Sequence, residues 1–107
     1  MPTFQQAQDA VLAFNEERNW TNLSPQDLAK SVVIEATELL EHFQWDNTNT
    51  PDRRKHRPKD QQEISREAAD VLIYLIAFCK EQNVDLLQAV IDKLKHNAKK
   101  YPAENFQ

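Results

Sequence analysis

Not one of the 107 residues is glycine. Glycine is the residue that enters left-handed backbone conformations without steric cost, so tight αL turns, β-bulges and phosphate-cradling glycine loops are all disfavoured. Leu, Ala, Glu, Gln and Lys are plentiful, and the chain reads as all-α. Its length sets a single domain over residues 1–107, near the size at which one core stabilises itself only modestly. A second copy of the chain is an expected source of further buried area.

The net charge of −4 leaves no footprint for a nucleic-acid polymer, although local clusters of Lys and Arg leave room for a small anionic ligand. Cys79 is alone in an apolar run and reads as a buried thiol in a reducing compartment. "MPTFQQAQDAV" lacks the basic-then-apolar order of a signal peptide. The longest apolar stretch, Val71 to Cys79, is too short to cross a bilayer. The expectation is a cytoplasmic protein that does not engage a membrane.

Four helices are legible. The first opens at Thr3, with Gln6 completing a capping box, and carries Phe4, Ala7, Val11 and Phe14 on its apolar stripe before fading near "ERNWTN". The second opens at "SPQD", with Ser24 as N-cap, Pro25 at the first helical position and Asp27 near the positive helix end; it is expected to reach about Trp45. Residues 46–59, containing "DRRKHRPK", read as a mobile basic loop, either solvated or folding over a triphosphate as a lid. The third helix runs from about Asp60 to Gln82. The fourth is capped by Asp85, with Gln88 at the third position, and stops before Pro102.

Two acidic pairs break the helical pattern. On the second helix Leu28, Val32, Leu39 and Phe43 define the apolar stripe; Glu35 falls inside it and Glu38 on its flank, whereas Glu41 points away. On the third helix Ile64, Ala68, Val71, Leu75 and Phe78 are expected to face inward, with Glu67, Asp70 and Tyr74 along one edge within about 60° of one another. Val71 to Cys79 is apolar almost all round, which implies burial by the bundle or by another subunit. If the two helices pack antiparallel, four carboxylates converge, and a divalent cation relieves their repulsion; oxygen-only donors favour Mg²⁺ or Mn²⁺ over zinc. The plainer alternative is that Glu-x-x-Glu is common on solvated helices and these are charged seams.

Glu35-x-x-Glu38 and Glu67-x-x-Asp70 resemble the metal-binding signature of the MazG-like nucleoside triphosphate pyrophosphohydrolases. "IEATELLEHFQW", "ADVLIYLIAF" and "VDLLQAVIDKLKHNAKKYP" are similar to the same family, in particular its small dCTP-pyrophosphatase-like branch, over about Phe14 to Pro102. The resemblance implies a four-helix bundle-like MazG fold assembled as a homodimer or homotetramer, with sites near subunit contacts. The activity it implies is Mg²⁺-dependent hydrolysis of a (deoxy)nucleoside triphosphate to the monophosphate and pyrophosphate, with Mn²⁺ as a substitute. Glu35, Glu38, Glu67 and Asp70 would hold the metal, and a glutamate of the first pair, Glu38 ahead of Glu35, would hold and deprotonate the attacking water. Tyr74 would line the nucleotide pocket and Trp20 and Trp45 would surround the base. Lys93, Asn97 and Lys100, two turns along one face of the last helix, would contact phosphates or sugar.

Each of these residues also has a purely structural reading. Either tryptophan can close a core end, Tyr74 can be a core residue with its hydroxyl satisfied, and Lys93 and Lys100 can belong to a solvated face. His42, His56 and His96 read as surface histidines. One departure concerns base preference: where the dCTP-like branch often has a histidine before the second helix, this chain has "NLSPQD", and neither Leu23 nor Ser24 replaces an imidazole. Three other functions compete. A ferritin-like di-metal protein requires Glu-x-x-His, which is absent. A non-catalytic helical dimerisation module and a phosphoribosyl-ATP pyrophosphatase-like relative remain as alternatives.

Overall fold

The computed structural model describes residues 1–43 and 58–107. These form four α-helices, α1 (Phe4–Glu17), α2 (Pro25–Glu41), α3 (Pro58–Glu81) and α4 (Leu86–Lys100), followed by a 3₁₀ turn over Ala103–Phe106. No strand occurs among the described residues. Expected helix starts are met by side-chain caps. Thr3 Oγ1 accepts from the Gln6 amide at 3.1 Å while the Thr3 amide donates to Gln6 Oε1 at 2.8 Å. Ser24 Oγ accepts from the Asp27 amide, with Pro25 opening α2. Asp85 Oδ1 accepts from the Gln88 amide; the Gln88 side chain donates onward to Asp92, so this cap is one-sided.

Helix ends depart from the sequence expectation. The last helical residue of α2 is Glu41, and His42 and Phe43 follow in a tighter turn with amides donating to Leu39 and Leu40. Helix α3 opens at Pro58 instead of Asp60, so Pro58 and Lys59 are helical and not loop. The rest of the 46–59 loop, with Trp45 and His56, lies outside the described residues.

The absence of glycine does not prevent left-handed turns. Asn19, Asn22 and Asn83 take φ of 58°, 56° and 55°. Asparagine tolerates this region because its short polar side chain fits there. After α1 the Trp20 amide donates to the Asn15 carbonyl and the Asn19 amide to Glu16; after α3 the Val84 amide donates to Cys79 and the Asn83 amide to Lys80. Both are Schellman ends with asparagine where glycine usually sits.

Helices α2 and α3 pack along each other and α1 lies against α3, whereas α4 has no comparable side-by-side packing. The most buried residues, Leu28, Ile76, Ala77 and Cys79, lie on α2 and α3. On α2 the expected stripe is correct: Val32, Glu35, Glu38, Leu39 and Phe43 are all half-buried and Glu41 is exposed. On α3 the expected stripe holds at Ile64, Val71, Leu75 and Phe78, all half-buried, but not at Ala68. Ala68 is exposed, not inward, while Glu67, Asp70 and Tyr74 lie on the covered face itself. Apolar side chains remain in solvent on α2 (Val33, Ile34, Leu40) and α4 (Val90, Ile91, Leu94). No described helix is long and apolar enough to cross a membrane.

Candidate active site

Because α2 and α3 run antiparallel, a step of three or four residues up one matches an equal step down the other. Leu28 shares a cavity wall with Ala77, carboxylate oxygens of Glu38 and Glu67 lie within 4.8 Å of each other, and His42 faces Glu63. The inward glutamates are thereby stacked on one seam. Glu35, Glu38 and Glu67, all half-buried, each present a ligand oxygen within 4.8 Å of the others. Asp70 stands outside this trio but adds to the repulsion on both Glu35 and Glu67.

The electrostatics follow from that crowding. Burial is the main cause that raises Glu35 to about 7 from 4.5, with its hydrogen bond to Glu38 and the charges of Glu38, Asp70 and Glu67 adding to it. Burial likewise raises Glu67, helped by its hydrogen bond with Glu38 and by Glu38 and Asp70, and opposed by His42. Glu38 is the neighbour common to both shifts, and a shared proton can relieve part of the crowding. Even so, the Oε2 atoms of Glu35 and Glu67 are sealed from solvent without any hydrogen-bond partner. Buried polar atoms are rarely left so. Oxygen donors orphaned in one small space fit a hard divalent cation of the Mg²⁺ or Mn²⁺ type, which takes oxygen ligands and neutralises the charge.

Beside Asp70 opens a largely apolar cavity of about 270 Å³, walled by Phe14, Trp20, Leu28, Ile73, Tyr74 and Ala77. Two of the expected nucleotide-contacting residues, Trp20 and Tyr74, are therefore brought to one hollow next to the acidic seam. Trp20 is held edge-on to Phe14 at 5.9 Å between ring centroids and is 53 % exposed, so it does not close the core. Flat apolar walls with an exposed indole suit a planar heterocycle. The structure does not bring Lys93, Asn97 and Lys100 together with this hollow: they lie along α4, with both lysines exposed and Asn97 half-buried.

Sequence reasoning missed three participants. Phe14 and Asn15 line the hollow, a role that spacing along α1 alone does not disclose. His42 is not a surface histidine: its side chain is 18 % exposed and its Nδ1 lies 4.0 Å from Glu63 Oε2 on α3. The antiparallel register was the missing signal. His96 is exposed, as expected. Cys79 is buried as expected, and burial pushes its thiol up, which keeps it protonated and unreactive.

Residues 30–107 match the MazG-like family. The dCTP pyrophosphatase 1 of Mus musculus is 37% identical over 102 residues, which cover 94% of this chain and 60% of that protein. The Homo sapiens protein of the same name is 35% identical over 103 residues, covering 95% and 61%. The chain thus spans about three-fifths of the length of these curated relatives. The crystal structure of a pyrophosphatase from Archaeoglobus fulgidus superposes with a TM-score of 0.77 at 34% identity, covering 95% of this chain and 94% of that one.

Proposed function

The chain belongs to the MazG-like family, and on that premise we propose that it hydrolyses (deoxy)nucleoside triphosphates to the monophosphate and pyrophosphate with a divalent cation, Mg²⁺ or Mn²⁺. The observation that carries this reading is the convergence of Glu35, Glu38 and Glu67 around two orphaned buried oxygens, one helical turn from a largely apolar hollow lined by Trp20 and Tyr74.

Glu35, Glu38, Glu67 and Asp70 would hold the cation, which when bound supplies charge neutralisation for phosphate oxygens and acidifies a water. Glu38, whose carboxylate lies within 4.8 Å of those of both Glu35 and Glu67, would orient the attacking water and accept its proton. Trp20 would stack on the base, joined by Trp45, and Tyr74 would line the nucleotide pocket next to Asp70. The substrate is taken as dCTP-like or a modified dNTP, and the role as sanitation of the nucleotide pool; the relatives named dCTP pyrophosphatase 1 support this.

We further propose that residues 1–107 act as one helical domain that assembles as a homodimer or homotetramer. The uncovered apolar side chains of α2 and α4 support assembly, which would bring Lys93, Asn97 and Lys100 to phosphates. A cytoplasmic location fits the unpaired, buried Cys79.

Pyrophosphate release measured over natural and 5-substituted nucleotides with Mg²⁺ tests the reading. Turnover of a cytosine nucleotide or a modified dNTP is expected; silence across the panel removes the enzyme assignment in favour of a binding module, and turnover of phosphoribosyl-ATP alone moves the chain to that relative. Light scattering should give a mass above the 12.5 kDa of one chain, and a monomer at micromolar concentration removes the assembly.

A further inference from the structure

The residues of the α2–α3 seam lie in an order that assigns a direction to the substrate. Taking α3 as a ruler at about 1.5 Å per residue, Tyr74 in the hollow is about 10 Å from Glu67, and Glu63 is about 6 Å from Glu67 on the opposite side. A nucleoside seated against Trp20 and Tyr74 therefore sends its phosphate tail past the carboxylates towards Glu63 and His42. If the bond between the α and β phosphates is cut at the carboxylates, as the pyrophosphohydrolase reading requires, the β and γ phosphates fall at the His42 rung.

Resting on the pyrophosphohydrolase reading, we propose that His42 binds the leaving pyrophosphate by donating a hydrogen bond from its imidazole to a β or γ phosphoryl oxygen. Three observations support this. His42 is largely covered and bridges the gap between α2 and α3 at the end of the seam away from the hollow. Its contact with Glu63, at 4.0 Å, is too long for a hydrogen bond, so the ring is steered by that carboxylate while an N–H stays available for a shorter contact. When protonated it is also the group that opposes the acidic crowding at Glu67, where the other neighbours all add to it. A polyphosphate entering a seam of carboxylates needs such a donor on the side where its charge is greatest.

Binding of inorganic pyrophosphate with Mg²⁺, and separately of dCMP, to the full chain measured by titration calorimetry tests the assignment, with H42L and H42Q as variants and circular dichroism to confirm helix content. H42L is expected to weaken pyrophosphate about tenfold, the loss of one charge-assisted hydrogen bond, and to leave dCMP unchanged. H42Q, which keeps an N–H donor, should recover part of the loss, and carries the test if H42L does not fold. Unchanged pyrophosphate binding in both variants, or equal weakening of pyrophosphate and dCMP, overturns the proposal. Absence of pyrophosphate binding to the wild type does so too. Failure of the wild type to turn over any nucleotide would instead sink the parent reading, while the pyrophosphate titration still reads His42 by itself.

Discussion

At one end of the α2–α3 pair Leu28 and Ala77 share a wall with Ile76 and Cys79 close by, all of them at most 8 % exposed. Two turns further along the same helices, Glu35, Glu38 and Glu67 occupy the equivalent inward positions. The backbone geometry does not change between the two ends; only the side chains do. The apolar end removes surface from water and supports the fold. The acidic end desolvates charge and withdraws support until a proton or a cation arrives. Stability and chemistry are thus divided along one pair of helices, so each can be perturbed without the other.

The sharpest way to exploit that division is Glu38→Gln. It keeps the shape and removes the shared carboxylate, so pyrophosphate release should fall by roughly 10²–10⁴-fold with helix content retained in circular dichroism. A comparable loss of helix would mean that the seam also holds the fold. At the other end, Ile76→Ala should cost about 2–5 kcal/mol in a denaturant melt while leaving Mn²⁺ affinity of the folded protein unchanged. Weakened Mn²⁺ binding there would show the two ends to be coupled.

The gentlest probe is pH. Glu35 in the folded chain is raised from 4.5 to about 7, so folding takes up a proton in that window. The stability this supplies is complete below 4.5 and is lost as pH rises through about 7. Melting temperatures of metal-free protein should therefore fall between pH 5 and pH 8, and Mg²⁺ should flatten the fall because it replaces the proton. A flat metal-free profile would place the seam carboxylates in ordinary solvent.

Much of the architecture could be read from residues alone. Thr3 with Gln6, Ser24 with Pro25, and Asp85 with Gln88 are local signals, complete within four residues, and all three open helices where expected. Glu35 and Glu38 were legible because Val32 and Leu39 beside them on α2 mark the covered face, even though Val33, Ile34 and Leu40 leave its other sides apolar. Ala68 lies in the polar first half of α3, where Glu63, Arg66, Glu67 and Asp70 leave few apolar side chains to fix the phase, and the covered face there turns towards Glu67 and Asp70. His42 and Asn15 were unreadable for another reason: their surroundings come from a different helix. Spacing within one helix contains no register between two.

The asparagine turn after α3 has a consequence for how the last helix is presented. An Asn83 held at φ 55° has fewer alternatives when unfolded than a glycine would, and less entropy is surrendered in setting the elbow. The heading of α4 is consequently decided by the chain's own backbone and not by whatever later lies against Val90, Ile91 and Leu94. If α4 docks on a second copy as proposed, a preset heading lowers the reorganisation cost, so Asn83→Gly should weaken the assembly measured by light scattering although every contacting side chain is unchanged.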